Sequence, residues 1–460
     1  MSLTLQPYKG MRDLYPSDMR LRDYIFATWR KVAERFGYEE YATPMLEPLE
    51  LYAAKSGEEI VNEQTYTFTD RGDRKVAIRP EMTPSIARMV AARRQEIALP
   101  ARLYSIANFL RYERPQKGRE REFWQLNMDV FGIDGVQADI EIIAISDAIM
   151  REFGATDKMF KIRVNDRRLT DFIFREYFEL QGEQSAKMIK LVDRYEKIDR
   201  GTFEVLAAEI LGIIQERQQI PRQPGDYSSE VIVARLDNLM PEKRSRLDAF
   251  LAKFDAVASA QSLADLSAEI RNNCVELIEE DEEVFDGLEK RGVNNAVFDP
   301  TLMRGFDYYT GIVFEAFDNA PENNRAMFGG GRYDGLVGLF GVEPLATVGM
   351  APGETTTMEF LRAHNLIPEL QPTTEIMIIP LGGVDVENVA KELRAGGLNL
   401  AIDYTNRKTD KMIKSAAKAG IPYLLFVGEK ELNEQKFTLK NVATQEEQKM
   451  RIDEIVKLDE

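Results

Sequence analysis

Polar and apolar residues alternate between Trp124 and Val130, and this pattern constrains the fold more than any other stretch. Successive side chains of a β-strand point to opposite faces of a sheet, so the alternation predicts a strand with one apolar and one polar face. The polar face would carry Gln125, Asn127 and Asp129. Such a face in a large domain is costly unless it meets water or a ligand. The strand therefore borders either solvent or a ligand site.

The segment just before this strand favours the ligand site, because it is densely cationic. Five basic residues fall within eleven positions: Arg111, Arg114, Lys117, Arg119 and Arg121. Guanidinium groups bind phosphates and carboxylates through paired hydrogen bonds, and lysine adds a point charge. A cationic loop beside a polar strand face suits a polyphosphate or the end of an RNA chain.

The chain has 460 residues, which is too long for one ordinary core and predicts two or three domains. From about Arg167 to Asn295 the periodicity is helical, which predicts a helical insertion within a larger domain. Pro368 and Pro372 bracket a linker. After the linker, apolar segments alternate in the order β-α-β-α-β, which predicts a small, mainly parallel α/β domain.

A hairpin is expected between the insertion and the linker. The segments Asn295–Tyr309 and Ile312–Phe317 both have strand character, and Thr310 and Gly311 lie between them. Two residues of this kind between two strands are typical of a tight turn.

The scarcity of histidine and cysteine limits the chemistry that the chain can perform. One histidine, His364, and one cysteine, Cys274, exclude a histidine triad, an internal disulfide and a cysteine zinc cluster. The net charge of −17 argues against coating nucleic acid through bulk electrostatics, but permits a local basic face. A cytoplasmic protein without membrane contact is expected, because neither a signal peptide nor an apolar run of membrane-spanning length is present.

Five stretches, in order along the chain, resemble motifs of one family, the histidyl-tRNA synthetases of the class II aminoacyl-tRNA synthetases. They are the dimer-forming motif 1 around Pro44, the ammonium-binding loop Arg79–Thr83, motif 2 at Arg111–Gly132, the histidine-specific signature Arg304–Tyr309 and the glycine-rich turn Gly330–Gly335. Five ordered matches are far more specific than any one of them.

The resemblance implies an α+β catalytic domain over residues 1–366, with an antiparallel six-stranded sheet and a helical insertion over about residues 167–295. It also implies an α/β anticodon-binding domain over residues 373–460. The expected activity is that of a homodimeric histidine–tRNA ligase, which makes histidyl-adenylate from histidine and ATP and transfers histidine to tRNA(His). Mg²⁺ is the expected companion of ATP.

On the ATP side, the resemblance implies two catalytic arginines. Arg111 and Arg304 are expected to hold the α-phosphate from opposite sides as negative charge develops there. Glu113, Arg119 and Arg121 complete the expected ATP site, and the two arginines would clamp the β- and γ-phosphates together with Mg²⁺. No protein ligands of the metal are assigned. Alternatively, Arg304 is a buried ion-pair partner of a nearby acid.

On the histidine side, the resemblance implies six contacts. Glu81, Thr83 and Gln125 are expected to bind the α-ammonium group, while Asp129 and the hydroxyl of Tyr308 or Tyr309 bind the imidazole. A neutral imidazole offers one donor and one acceptor, so a buried ring needs both partners. Strand alternation predicts that only one of the two tyrosines faces the pocket. Alternatively, Glu81 caps a helix that begins near Thr83.

Two groups of residues are expected to contact tRNA. One is the loop group Arg114, Gln116 and Lys117, and the other is Lys411, Lys414 and Lys418 on a helix over residues 409–419. These lysines would bind phosphates of the backbone. Alternatively, they are a solvated helix face.

One residue departs from the family pattern. Motif 3 usually has an arginine that contacts the γ-phosphate, but Thr356 stands at that position, and Arg362 lies on another face of any helix there. Either another cation takes this role or ATP binds more weakly. The departure leaves a rival function, that of a histidine-binding regulatory subunit of ATP phosphoribosyltransferase without ligase activity. The C-terminal domain and the intact Arg304–Tyr309 stretch favour the ligase.

Overall fold

The computed structural model describes residues 4–53, 64–114, 118–214, 236, 239–303, 308–323, 326–405 and 407–457. They form two compact units. The first lies within Met1–Asp13 and Tyr24–Leu366, and the second within Leu14–Asp23 and Ile367–Glu460. Among the described helices, none is both long and apolar enough to cross a bilayer.

The elements that precede the linker are mixed helices and strands. The described strands are β1 (Glu39–Glu40), β2 (Leu46–Pro48), β3 (Thr67–Thr69), β4 (Lys75–Ile78), β5 (Ala101–Leu110), β6 (Glu122–Phe131), β7 (Phe160–Asp166), β8 (Ala296–Phe298), β9 (Ile312–Asp318), β10 (Ala326–Arg332) and β11 (Thr347–Met350). The described α-helices are α1 (Pro16–Arg35), α2 (Leu49–Ala53), α3 (Thr83–Ala92), α4 (Gln137–Glu152), α5 (Arg167–Phe172), α6 (Glu183–Val192), α7 (Arg200–Ile210), α8 (Pro241–Ala258), α9 (Ala268–Asn273), α10 (Val275–Lys290) and α11 (Glu354–Ala363).

The main sheet of the first unit has eight described strands in the order β1-β5-β6-β11-β10-β9-β7-β8. The six central strands pair antiparallel throughout, which confirms the expected catalytic sheet. The sheet is nevertheless wider than expected, because the short strands β1 and β8 add to its two edges in parallel. A second, three-stranded sheet has the order β2-β4-β3.

Strand β6 lies between β5 and β11 and has the predicted alternation. Leu126, Met128 and Val130 are buried among apolar neighbours. Register brings Asp129 opposite Gly349 of β11, and the small glycine leaves room for the carboxylate. A Cβ at Gly349 would collide with Oδ1 of Asp129 and lie 2.9 Å from the hydroxyl of Tyr333.

The expected hairpin over Asn295–Tyr309 and Ile312–Phe317 is wrong. Among its described residues, the first segment contributes only the three residues of β8 to the sheet, and β7 lies between β8 and β9. Pro300 follows two residues after β8. Because proline cannot donate to a strand ladder, it limits the length of the strand there, and Thr310 instead donates its N–H to the carbonyl of Arg332 over 2.8 Å.

The described part of residues 167–290 is helical, as predicted, and runs from α5 to α10. Its helices enclose their own apolar core, in which Phe203 and Phe254 pack with ring centroids 4.7 Å apart. The insertion therefore has the buried contacts of a separate helical layer attached to the sheet.

The second unit contains β12 (Ile376–Pro380), α12 (Glu387–Ala395), β13 (Leu400–Ile402), α13 (Thr409–Lys418), β14 (Tyr423–Val427), α14 (Glu429–Glu434), β15 (Phe437–Asn441), β16 (Glu447–Met450) and α15 (Ile452–Ile455). The predicted β-α-β-α-β order is confirmed, and β13, β12 and β14 are parallel. The sheet continues beyond the prediction, because β15 and β16 extend it antiparallel.

Candidate active site

A cavity of about 310 Å³ opens on the main sheet of the first unit. Its size matches the lower range of small-molecule sites. Strands β6, β9, β10 and β11 contribute to its wall, together with the residues that precede α3 and α11. The candidate residues that line it are Glu81, Thr83, Arg111, Glu113, Arg119, Gln125, Asp129, Tyr308 and Tyr309.

The remaining candidate residues of the first unit fall into three groups. Arg304, Gln116 and Lys117 are outside the described residues. Arg114 is exposed on the loop. Arg121 is not among the described residues that line the cavity.

Asp129 is one of two acids of the cavity, with Glu81, of which only 4% of the residue is exposed. The hydroxyl of Tyr333 donates a hydrogen bond to its Oδ1. Burial raises the pKa of Asp129 to about 7, and the hydrogen bond from Tyr333 opposes part of this rise. The carboxyl group therefore changes its charge near neutral pH and can either accept or donate a proton within the cavity.

Tyr333 belongs to the glycine-rich turn and was missing from the sequence-based site. The turn is held by the buried side chain of Arg332, which pairs with Asp139 and donates to the carbonyl of Gly135 over 2.9 Å. These contacts of Arg332 hold the neighbouring Tyr333 in position, where its hydroxyl contacts the carboxylate of Asp129. The signal for its role was present in the motif Gly330–Gly335, but motif matching alone does not say which side chain of a turn points inward.

Both tyrosines of the histidine-specific stretch line the cavity, so the prediction that only one faces it is wrong. The prediction assumed strand alternation, whereas Tyr308 and Tyr309 lie in a turn outside any strand. Their rings are 4.9 Å apart. The hydroxyl of Tyr308 donates to Oε2 of Glu81 over 3.3 Å, which joins the turn to the segment before α3.

Glu81 does not cap α3. The helix begins at Thr83, and its N-cap residue Met82 makes no side-chain capping bond. Glu81 is instead 4% exposed and turns its carboxylate toward Tyr308 and the cavity. A buried acid beside a polar cavity is a suitable partner for a ligand cation.

Gln125 lies on the polar face of β6, in line with Asn127 and Asp129, and all three border the cavity. An isolated bridge pairs Gln125 with Gly353, just before α11. The amide of Gln125 thus lies between the buried carboxylate of Asp129 and the cationic end of the cavity.

The cationic end is organised around Glu113. Its Oε1 lies 3.9 Å from Nη1 of Arg111, and its Oε2 lies 2.9 Å from Nε of Arg119. Arg111 also donates to the carbonyl of Pro80 over 2.9 Å and stacks 5.3 Å from the ring centroid of Phe123. These contacts hold the planar guanidinium of Arg111 in one orientation at the wall of the cavity.

Arg121 is held away from this wall. Its side chain donates to the carbonyl groups of Glu113 and Lys9, each over 3.2 Å. Its guanidinium also lies 4.0 Å from the ring centroid of Tyr112. Backbone and aromatic contacts of this kind stabilise the loop rather than present a free cation.

Thr356 lines the cavity where the family pattern has an arginine. Its hydroxyl donates to the carbonyl of Met327 over 2.9 Å and lies 3.0 Å from that of Gly353. The residue therefore supplies no positive charge, and its hydroxyl is directed toward backbone.

In the second unit, Lys411, Lys414 and Lys418 are exposed on α13, while Met412 and Ala416 of the same helix are buried. The helix is amphipathic, and the three lysines occupy its solvent side. A row of exposed lysines can contact a phosphate backbone without an induced change.

Comparison with known proteins gives a consistent result along the chain. A family model described as histidyl-tRNA synthetase matches residues 10–352, and one described as anticodon binding domain matches residues 375–458. The histidine–tRNA ligase of Leptospira biflexa is 38% identical over 446 residues, covering 96% of this chain and 94% of that protein. That of Halobacterium salinarum is 35% identical over 443 residues, covering 95% and 94%.

A solved structure shares the fold. The crystal structure of histidyl-tRNA synthetase from Nostoc sp. PCC 7120 superposes with a TM-score of 0.75 at 23% identity, covering 99% of each chain. At this identity the match concerns the fold alone.

Proposed function

The chain belongs to the histidyl-tRNA synthetase family, and from that premise we propose that histidine and ATP meet in the cavity of the first unit. It is an aminoacyl-tRNA ligase that joins histidine to tRNA. One observation supports this site most directly: the same cavity has a buried acid, Asp129, at one end and arginines at the other. These ends suit an imidazole and a polyphosphate.

The arginines suit the first chemical step. The carboxylate of histidine attacks the α-phosphate of ATP, so two anions must approach each other, and pyrophosphate leaves. Arg111 would hold the α-phosphate, because the carbonyl of Pro80 and the ring of Phe123 already orient its guanidinium. Arg304 would approach from the other side by analogy with the family. In the second step the terminal ribose hydroxyl of tRNA attacks the carbonyl carbon of the adenylate, an ester forms, and AMP leaves.

Arg119 is the better candidate of its pair for the outer phosphates. Its side chain is 57% exposed and pairs with Glu113 at the wall of the cavity, so it can turn toward ATP at little cost. Arg121, by contrast, would have to leave three contacts of the loop. We therefore assign the outer phosphates to Arg119 and the packing of the loop to Arg121.

Mg²⁺ is proposed as the companion of ATP. No group of three or more potential metal ligands occurs among the described residues, but Mg²⁺ is usually held by substrate phosphates and only one or two carboxylates. Glu113 and Glu315 border the cavity and have the required chemistry. When bound, the ion would neutralise charge on the phosphates.

Histidine recognition is proposed to rest on Asp129, with Tyr333 as its support. Asp129 would accept from the ring N–H, while Tyr308 or Tyr309 would donate to the other ring nitrogen. Glu81, Thr83 and Gln125 would bind the α-ammonium group. The variants Tyr308→Phe and Tyr309→Phe distinguish the two tyrosines. Only the variant that removes the donor should weaken the binding of histidine while leaving the binding of ATP unchanged.

A homodimer in the cytoplasm, where the tRNA substrate is found, is the proposed working form. Met45 and Leu46, in the stretch that resembles the dimer-forming motif, are 43% and 49% exposed. A dimer contact through this stretch would cover both side chains. Light scattering on the purified protein measures the mass directly, and a mass of one chain at micromolar concentration would contradict the dimer.

The regulatory-subunit alternative is less well supported. The anticodon-binding domain matched over residues 375–458 has a use in a ligase that it lacks in a histidine sensor. We propose that Lys411, Lys414 and Lys418 of this domain contact tRNA.

Two assays test the ligase assignment with one set of variants. Replacing Lys411, Lys414 and Lys418 by glutamine should raise the KM for tRNA in the charging assay and leave histidine-dependent ATP–pyrophosphate exchange unchanged. Lys430, Lys436 and Lys449 are exposed in the same domain, and their replacement is the matched control. Equal charging by both triple variants would remove α13 from the tRNA site, and absence of exchange in the wild type would contradict the ligase.

A further inference from the structure

A short N-terminal segment, Tyr8–Arg12, lies along the cationic loop of the candidate site. The backbone N–H of Arg121 donates to the carbonyl of Gly10 over 2.8 Å, and the side chain of Arg121 donates to that of Lys9 over 3.2 Å. The backbone carbonyls of the segment therefore bind it to the loop, independently of the side chain of Arg12.

Arg12 bridges two acids, Glu120 of the cationic loop and Glu354 of α11. Its Nη2 lies 2.7 and 2.6 Å from the two carboxylate oxygens of Glu354, the first residue of α11. Its Nε lies 2.8 Å from Oε2 of Glu120, in the cationic loop. One guanidinium thus joins the loop that carries Arg119 to the helix that carries Thr356.

The two acids need this cation. The side chain of Glu354 is fully buried, and a buried carboxylate without a partner is strongly unfavourable. Glu120 borders the cavity, and burial raises its pKa while Arg12 opposes the rise. Without Arg12, the carboxylate of Glu120 at the cavity would repel an approaching polyphosphate.

Glu120 and Thr356 border the same cavity, so the charge on Glu120 bears on any anion that binds there. Thr356 supplies no charge, since its hydroxyl is directed to backbone carbonyls. The cation that pairs with both Glu120 and Glu354 is Arg12. Arg12 is remote by more than 300 positions from Glu354 and yet contacts it directly.

We propose that Arg12 is a positioning residue for ATP, which neutralises Glu120 and Glu354 and holds the Glu120 carboxylate away from the triphosphate. The inference rests on the proposed ATP site. Arg12 acts through Glu120 and α11, and the phosphates themselves meet Arg119. The arrangement explains how the site accepts a triphosphate although position 356 carries no arginine.

The test compares ATP with adenosine, which has no phosphates to repel. Arg12→Ala should raise the KM for ATP in the exchange assay by about tenfold or more, because an uncompensated carboxylate then faces the phosphates. Adenosine affinity and histidine affinity, both measured by calorimetry, should stay within about twofold of wild type by the same scale. Adding Glu120→Gln to Arg12→Ala should recover most of the ATP KM, because it removes the repelling charge.

Arg30→Ala is the matched control, since Arg30 forms an exposed pair with Glu40 at 3.2 Å outside the cavity, and it should leave the ATP KM unchanged. If Arg12→Ala does not fold, Arg12→Lys with and without Glu120→Gln carries the same comparison, because lysine keeps the charge but cannot bridge both acids. An ATP KM near wild type, equal losses for ATP and adenosine, or no recovery with Glu120→Gln would overturn the proposal. Normal wild-type exchange in the same experiment separates these outcomes from a failure of the proposed function.

Discussion

The two ends of the cavity are built in different ways. At the end proposed to bind histidine (the histidine end), Asp129 is 4% exposed, lies within the central strand β6 and receives a hydrogen bond from Tyr333 of the anchored glycine-rich turn. At the end proposed to bind the phosphates (the phosphate end), the side chain of Arg119 is 57% exposed and lies on a loop, where it pairs with Glu113. The first end is preorganised by packing, and the second is preorganised by ion pairs.

The difference teaches where each kind of selectivity can arise. A buried, hydrogen-bonded group rejects ligands that leave it unpaired, so the histidine end can discriminate between amino acids. Exposed ion pairs are individually weak and can exchange partners, so the phosphate end can accept and release a triphosphate. Asp129 and Phe123 are six residues apart on β6, roughly 20 Å at the usual rise of a strand, which keeps the two ends distinct.

The largest expected effect concerns the stability of the histidine end. The pKa of Asp129 is raised from 3.8 to about 7, so between these values the folded protein binds a proton that the unfolded chain does not. Stability conferred by the protonated form should therefore fall as pH rises from about 4 to about 7, by on the order of 4 kcal/mol.

Chemical unfolding at several pH values, without histidine, measures this slope. The asparagine of Asp129→Asn cannot titrate. The free energy of unfolding of this variant should therefore increase relative to that of the wild type as pH rises. Parallel pH profiles for the two proteins would show that Asp129 is ionised throughout, and the histidine end would then be less isolated from solvent than its burial indicates.

The next effect concerns Arg111, at the cationic end of the cavity. Arg111→Ala should lower kcat for histidine-dependent exchange by ~10²–10³, because a preorganised donor at the developing charge is lost. Arg304→Ala should have an effect of the same order. Arg111→Lys should restore little of the lost kcat, since the point charge of lysine does not reproduce the planar guanidinium with its paired donors. Exchange at the wild-type rate in Arg111→Ala would remove it from the reaction.

A smaller effect is expected for binding of histidine. Asp129→Asn should lower the affinity for histidine by about 10- to 100-fold, the usual range for loss of a hydrogen bond to a charged group. The affinity for ATP should stay unchanged. Tyr333→Phe should produce a smaller loss in the same direction, because it leaves the carboxylate in place. If Asp129→Asn binds histidine normally, Glu81 becomes the next candidate for the imidazole.

The smallest effect distinguishes the two loop arginines. Arg119→Ala should raise the KM for ATP by about tenfold, whereas Arg121→Ala should lower the melting temperature and leave that KM nearly unchanged. The reason is that Arg121 is held by backbone carbonyls and Tyr112. A raised ATP KM in Arg121→Ala alone, at unchanged stability, would reverse the assignment.

The sequence predicted most of the histidine end and less of the phosphate end. Alternation in β6 identified Asp129 and Gln125, because the period of a strand decides which side chains share a face. It failed for Tyr308 and Tyr309, where the chain turns and the period no longer applies. The antiparallel catalytic sheet was predicted from the family resemblance, and the second unit also from its β-α-β-α-β pattern. The error over β8 arose because strand order in a sheet depends on distant pairings.

At the phosphate end, local pattern could not separate Arg119 from Arg121. Both are charged residues of one loop, and their difference depends on Lys9 and Tyr112, which no spacing rule connects to them. The same applies to Arg12, whose partners lie more than 100 and 300 positions away. Sequence motifs do not predict contacts between residues that lie this far apart in the chain.

A double-mutant cycle tests most directly whether the cavity has two independent ends. Calorimetry would give the affinities for histidine and for ATP in wild type, Asp129→Asn, Arg119→Ala and the double variant. The effects of substitutions at distant sites without shared partners usually add within about 0.5 kcal/mol. Asp129→Asn should therefore weaken only the binding of histidine, and Arg119→Ala only the binding of ATP. The double variant should show the sum of the two losses in binding free energy. A coupling of more than about 1 kcal/mol, or a loss of both ligands in either single variant, would contradict the division into a histidine end and a phosphate end.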